Sequence, residues 1–228
     1  MKCRKKPLST NPDTKLRRFA MIICLQFVAL FLFADRLTAQ HSVQNPAGQR
    51  LHRLEYENNA GETAVTTFFY DENGLMYEAF WECTDGSDRS NNYYRYDDAG
   101  RMISAYREFA SGVTSYEIFL YDDAGRKVHE TFLRSDGVTG TADYRYLKDG
   151  SCERVICDKY KGWISGDIVY KRDKKNKRAV SAEIVRNGAT AGTIDFEYDK
   201  KGSLIRDTWL FVDGFTQTFI YRYEEIEK

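Results

Sequence analysis

The chain has 228 residues, 42% of them apolar and 30% charged, with 34 basic against 34 acidic side chains, which excludes a mainly disordered chain and a multi-pass membrane protein. Three prolines and 16 glycines exclude collagen-like and proline-rich classes, while 16 tyrosines and 14 phenylalanines raise the aromatic share to 14%, a composition that favours strands. The neutral total hides two unlike segments, because residues 1–39 hold eight basic and two acidic residues and leave 26 basic against 32 acidic in the remainder; that acidic body is poorly suited to nucleic-acid phosphates.

Residues 1–18 are polar and basic, residues 19–34 form an apolar run broken only by Gln26, and Ala39 supplies a small residue ahead of Gln40. This is the pattern of a secretory signal peptide, with cleavage expected after Ala39. As an uncleaved anchor, the 16-residue run would rise only ~24 Å, short of a ~30 Å hydrocarbon core. The mature chain is therefore expected outside the cytoplasm, secreted or in a bacterial envelope, with no membrane span. Residues 40–49 read as a flexible leader, and residues 50–57 as a first strand.

From residue 50 onward the chain repeats. Tyr70-Asp71-Glu72-Asn73-Gly74, Tyr96-Asp97-Asp98-Ala99-Gly100, Tyr121-Asp122-Asp123-Ala124-Gly125 and Tyr198-Asp199-Lys200-Lys201-Gly202 are near copies, and degenerate copies start at Tyr146, Tyr170 and Tyr223. Before each anchor tyrosine, apolar and aromatic residues alternate with period two, as in Phe68 and Tyr70 or Tyr94 and Tyr96, which is a strand signal. A second such run follows each glycine.

Each unit is thus a hairpin. The aspartate carboxylate can accept turn N–H groups, and glycine supplies the positive φ of a bulged turn. Looser turns at Thr84-Asp85-Gly86, Ala110-Ser111-Gly112, Ser135-Asp136-Gly137 and Asn187-Gly188 close the other end. The expected fold is all-β: an antiparallel meander of about seven hairpins and fourteen strands, without a helix, in one continuous twisted or curled sheet that is either an open barrel or a spiral. If alternation continues past the Tyr70–Met76 pair, Met76, Met102 and Leu204 share the tyrosine face. Tyr77, Trp81, Ile103, Val128, Phe132, Ile205 and Trp209 then lie on the other.

The Tyr-Asp-x-x-Gly-Arg hairpin, intact at Tyr96 to Arg101 and Tyr121 to Arg126, resembles the YD repeat of the Rhs and teneurin families over about residues 50–228. That resemblance implies a winding antiparallel sheet, secretion or surface display, and for some members carbohydrate binding. Against the large members, this chain looks like a small stand-alone relative.

Three cysteines follow residue 39: Cys83, Cys152 and Cys157. The preferred reading is unpaired structural thiols; a bridge, if formed, would join Cys83 to one of the others, since Cys152 and Cys157 fall on opposite faces of a shared strand. The three histidines, His41, His52 and His129, lie far apart, so neither a nucleophile triad nor a metal centre has local support. No cofactor or metal is expected, and the carboxylate pairs Asp97-Asp98 and Asp122-Asp123 are read as turn chemistry.

Two groups remain as candidate ligand sites. Trp81 and Trp209 stand seven residues after Gly74 and Gly202, where exposed rings would stack on sugars; ordinary packing is the plainer reading. Lys171, Arg172, Lys174, Lys175, Lys177 and Arg178 form a basic cluster at a degraded turn, suited to an anionic glycan or head group or simply solvated. The expectation is a non-enzymatic binding or scaffold module of the envelope whose partner is a glycan. Protein–protein adhesion is the alternative, and a hydrolase with an unrecognised site the third reading.

Overall fold

The computed structural model describes residues 48–226 apart from 162–163 and 176–177. The export segment, the leader up to residue 47 and Lys177 lie outside the described residues. Gln49, assigned above to the leader, already belongs to the first strand.

The strands are β1 (Gln49–Asn58), β2 (Thr63–Tyr70), β3 (Met76–Cys83), β4 (Arg89–Tyr96), β5 (Met102–Phe109), β6 (Thr114–Tyr121), β7 (Lys127–Arg134), β8 (Thr139–Tyr146), β9 (Cys152–Tyr160), β10 (Ile164–Arg172), β11 (Ala179–Arg186), β12 (Ala189–Tyr198), β13 (Leu204–Phe211) and β14 (Thr216–Glu225). Each pairs antiparallel with its chain neighbours, and β14 pairs with β1 from Asn58↔Gln217 to Gln49↔Glu225. The all-β meander is as expected, but the sheet is neither open nor spiral: it closes into a barrel. Closure satisfies the backbone groups that an open sheet would leave on two edges.

The turns work as the motif implied. Asp97 Oδ1 accepts the amides of Ala99 at 3.0 Å and Arg101 at 2.8 Å, and Gly100 sits at φ 75°. Where the aspartate is missing, at Leu147, Asp149 accepts from Ser151 instead.

Immediately after each turn the register slips by one. Tyr70 pairs with Met76, yet Phe69 pairs with Glu78, so Tyr77 is an unpaired extra residue. The same bulge recurs at Ile103, Val128, Glu153, Val180 and Ile205. A bulge reverses the alternation of everything after it and increases local twist. That corrects the face assignment made from strict alternation: Trp81, Phe132 and Trp209 join the tyrosines inside, while Tyr77, Ile103 and Ile205 remain outside and exposed. It also corrects the cysteines, for Cys152 and Cys157 flank the Glu153 bulge and are both buried. No disulfide joins any of the three cysteines.

Inward side chains fill the barrel. Leu54, Phe68, Ala79, Trp81, Val155, Ile168, Ile184, Ile194, Trp209 and Phe219 are all nearly inaccessible. A round wall of this many strands would enclose open space. Burial this complete requires opposite walls close enough for their side chains to meet, as in two packed sheets. Outward positions mix polar and apolar residues, with charge in mid-strand at Glu55, Glu78, Arg145, Glu183, Asp195 and Arg206.

Candidate functional site

A repeat supplies its own control, since a residue that the fold demands recurs at the same slot in every unit. The anchor tyrosines meet that test. Tyr70, Tyr96, Tyr121, Tyr146 and Tyr198 each donate the phenolic hydroxyl to a main-chain carbonyl of the preceding unit: Leu51, Met76, Met102, Lys127 and Ala179. Arg101 and Arg126 bind their own turn aspartates, Asp97 and Asp122. These arginines also lie over the rings of the next anchors, Tyr121 and Tyr146, at 5.3 and 4.9 Å. Ion pairing with Arg126 holds the Asp122 carboxyl below its usual range. Tyr, Asp, Gly and Arg of the motif are therefore joints between hairpins.

The candidate ligand residues fare differently. Trp81 and Trp209 are 1% exposed, so neither presents a ring to solvent; the bulge turned both inward. The Trp209 indole N–H donates to Asp207 at 2.7 Å, and Tyr221 donates to the same carboxylate at 2.5 Å. Burial pushes the Asp207 carboxyl up to about 7 in spite of those two donors.

The basic cluster is half committed to structure. Arg172 donates to the carbonyl of Cys152 and lies over Tyr170, Arg178 lies over Tyr198, and Lys171 pairs with Glu183 at 2.5 Å. Lys174 and Lys175 are exposed.

Two departures from the repeat stand out instead. The first is inside. The slot of Glu117 holds Thr66, Asn92, Ala142, Ile194 and Phe219 in other units, and that of Lys127 holds Met76, Met102, Ala179 and Leu204. Here both charges are buried, together with Arg107, Glu130 and Lys161. Glu130 accepts from Tyr160 at 2.5 Å and Tyr144 at 3.0 Å, and pairs with Lys127 at 3.4 Å and Lys161 at 3.2 Å. Lys161 pairs with Glu117 as well, and Arg107 donates to Asn92 at 2.5 Å. Burial opposes ionisation of Glu130, but Lys161, Lys127 and the two phenols outweigh it and hold the carboxyl low. At Glu117 burial wins and the carboxyl is raised.

The second departure is outside. Tyr93 on β4 pairs directly with Tyr106 on β5, Tyr106 with Tyr116 on β6, and Tyr116 with Leu133 on β7. The three rings stand in line across the strands, with centroids 6.4 and 6.0 Å apart. Tyr93 and Tyr116 are each 37% exposed. Other units put Thr67, Asp143, Asp167 and Asp195 at the slot of Tyr93, with isoleucine at Ile118 and Ile220, and Val65, Asn91, Thr141 and Thr193 at that of Tyr116; no other unit places an aromatic ring at either slot. The strip is bordered by Arg95, the buried Ser104 and the exposed Ile118 on one side and by the polar row Asn91, Glu108 and Thr114 on the other. Neither departure was picked out from sequence, although comparing units slot by slot carries the signal for both.

Next to that strip, His129 pairs with Asp143 at 2.8 Å through Nδ1 and with the Thr131 hydroxyl at 3.2 Å through Nε2. This has the connectivity of a nucleophile triad. It lies on the outward face of paired strands whose N–H groups serve the ladder, so it lacks the free donors that would stabilise a developing oxyanion. Among the described residues no group of three metal-ligating side chains gathers.

No family model matches the chain, and no curated protein does. Among solved structures it is similar to a porin-like protein from Bacteroides uniformis, at 14% identity and a TM-score of 0.41 over 76% of this chain and 98% of that one. It is also similar to a putative outer membrane lipoprotein-sorting protein domain from Vibrio parahaemolyticus, at 11% identity and a TM-score of 0.35 over 81% and 89%. A third likeness is to a TcdB2-TccC3-Cdc42 complex, at 13% identity and a TM-score of 0.36 over 66% of this chain and 8% of that one. All three are too weak to carry function across.

Proposed function

We propose that the chain is an exported, non-enzymatic binding module of the bacterial envelope that uses the outside of its wall, with a glycan chain as ligand. One observation carries this reading: the outward Tyr93–Tyr106–Tyr116 strip, exposed at both ends and half-buried at Tyr106, which the repeat does not require. An aromatic face offers sugars a partner for their C–H surfaces, and the bordering Arg95, Asn91, Glu108 and Thr114 offer donors and acceptors for hydroxyls. Arg95 against Glu108 leaves the borders without a strong charge bias, which fits a neutral polymer better than an anionic one.

The export pattern of residues 1–39 supports the envelope location. The outward face argues against a spanning barrel, which needs an unbroken apolar band facing lipid and a polar lumen; this wall carries mid-strand charge outside, and its interior is packed with apolar side chains around one charged cluster. The Tyr-Asp-x-x-Gly-Arg joints are in keeping with a small YD-type repeat. A protein partner is the second reading, favoured by Ile118, Leu120 and Leu133 extending the strip.

The test is cosedimentation of the mature chain with insoluble neutral polysaccharides and envelope glycans. Wild type should bind, and a Tyr93→Ser, Tyr106→Ser, Tyr116→Ser variant with unchanged circular dichroism should lose at least tenfold in affinity. No binding by wild type, or full binding by the variant, would refute the glycan reading. Capture of one envelope protein that Leu120→Asp abolishes would favour the second.

A further inference from the structure

We propose that Glu117, Glu130, Phe132 and Tyr160 form a binding site for an alkylammonium ion, and that the chain's own Lys161 occupies it.

The Lys161 ammonium meets both carboxylates and lies 4.9 Å from the Tyr160 ring centroid and 5.5 Å from that of Phe132. Two anions and two aromatic faces around one cation is how proteins recognise an ammonium group. The arrangement is not a product of the repeat, which places uncharged residues at the Glu117 slot elsewhere. Stability does not call for it either, since buried ion pairs seldom outperform apolar packing of the same volume.

The segment that delivers the lysine is equally exceptional. Other turns at that end use glycine at positive φ, as at Gly86, Gly112 and Gly137, or the turn former Asn187 beside Gly188, but here Lys159 and Lys161 themselves adopt φ of 48° and 53°. Such conformations in residues bearing a Cβ are strained and persist only where surrounding contacts hold them. One of those contacts is at β8: a Cβ on Gly140 would lie 2.1 Å from the Lys159 carbonyl oxygen, so the end of β9 sits where only glycine leaves room. Lys159 N–H is further held by Ser165 Oγ at 3.0 Å.

The cage also keeps a spare acceptor. Among the described residues Glu117 Oε2 is buried without a hydrogen-bond partner, while both oxygens of Glu130 are engaged. The strained strap and the incompletely used cage together describe a site with a built-in occupant, which an external cation can replace when the strap lifts. Arg107 and Lys127 are the other charged groups facing it, and both keep their own partners, Asn92 and Glu130.

The test uses the mature chain with Lys161→Ala, which empties the cage, and propylammonium chloride as the probe, against sodium chloride and tetramethylammonium chloride at equal ionic strength. Propylammonium should raise the melting temperature by about 2–4 °C more than either control, because a ligand that binds only the folded state stabilises it. The Lys161→Ala, Glu117→Gln double variant should lose that difference. Equal responses to the three salts would overturn the proposal. Should Lys161→Ala fail to fold, hydrogen exchange of wild type decides: propylammonium alone should speed exchange at the amides of residues 159–161, and unchanged exchange would overturn it.

Discussion

The hydroxyl of Tyr121 donates to the carbonyl of Met102 at 2.6 Å, reaching back 19 residues into the preceding hairpin. Because the acceptor is backbone, the bond is indifferent to the side chain at 102 and can recur where methionine gives way to Leu51, Lys127 or Ala179. Tyr121→Phe keeps the ring under Arg101 and removes only the hydroxyl. It should cost about 0.5–1.5 kcal/mol, read as a lower urea midpoint with an unchanged slope. A change in slope would mean that the hydroxyl also shapes the compactness of one of the two states.

Gly140, with Gly166, should be among the least replaceable glycines in the wall. The Cβ of an alanine at 140 meets the Lys159 carbonyl, backbone that cannot swing aside as a flexible side chain would. Gly140→Ala should cost about 1–3 kcal/mol, seen in thermal unfolding, whereas alanine at residue 142, one inward slot along, is already native.

Asp207 makes stability depend on pH in a stated direction. Its folded carboxyl titrates near 7, above the unfolded value of about 4, so the folded state binds the proton more tightly. The contribution is fully present below about pH 4 and is lost as pH rises through 7, a change on the order of 4 kcal/mol. Asp207→Asn keeps an acceptor for Trp209 and should flatten that decline. Melting temperatures of both proteins between pH 4.5 and 8 check it: the wild-type minus variant difference should fall as pH rises, and a constant difference would count against the burial effect.

The seam between β1 and β14 predicts tolerance to permutation. Ile226 N–H donates to Gly48 O at 3.0 Å, so the two described ends are adjacent. A chain cut between Ser111 and Gly112, with a short linker joining 226 to 48, should fold with near-native circular dichroism. Deleting residues 216–228 should instead expose the edges of β1 and β13 and yield aggregates by light scattering.

Strand number, hairpin ends and turn chemistry were all legible in the sequence, because they depend on neighbours no more than a few residues apart: Asp97 and Arg101, Tyr70 and Met76. What escaped depends on one extra residue or on distant encounters. The Tyr77 bulge adds no letter that differs from a regular strand, yet it decides which way Trp81 points and therefore removes it from the list of surface rings. Closure needs β1 to meet β14 across most of the chain, and no residue of Tyr56 or Phe219 announces that meeting. Lys161 reads as one more surface lysine until β6 and β7 bring Glu117 and Glu130 to it.

Linear repeat arrays lose their terminal units first and need capping ends, because each unit leans only on the next. Here the seventh hairpin's partner is the first, so every unit has two neighbours and none is terminal. Such a ring has no place from which to unravel: heat or denaturant should melt it in one all-or-none step, and evolution could not lengthen or shorten it a hairpin at a time without refitting everything packed within.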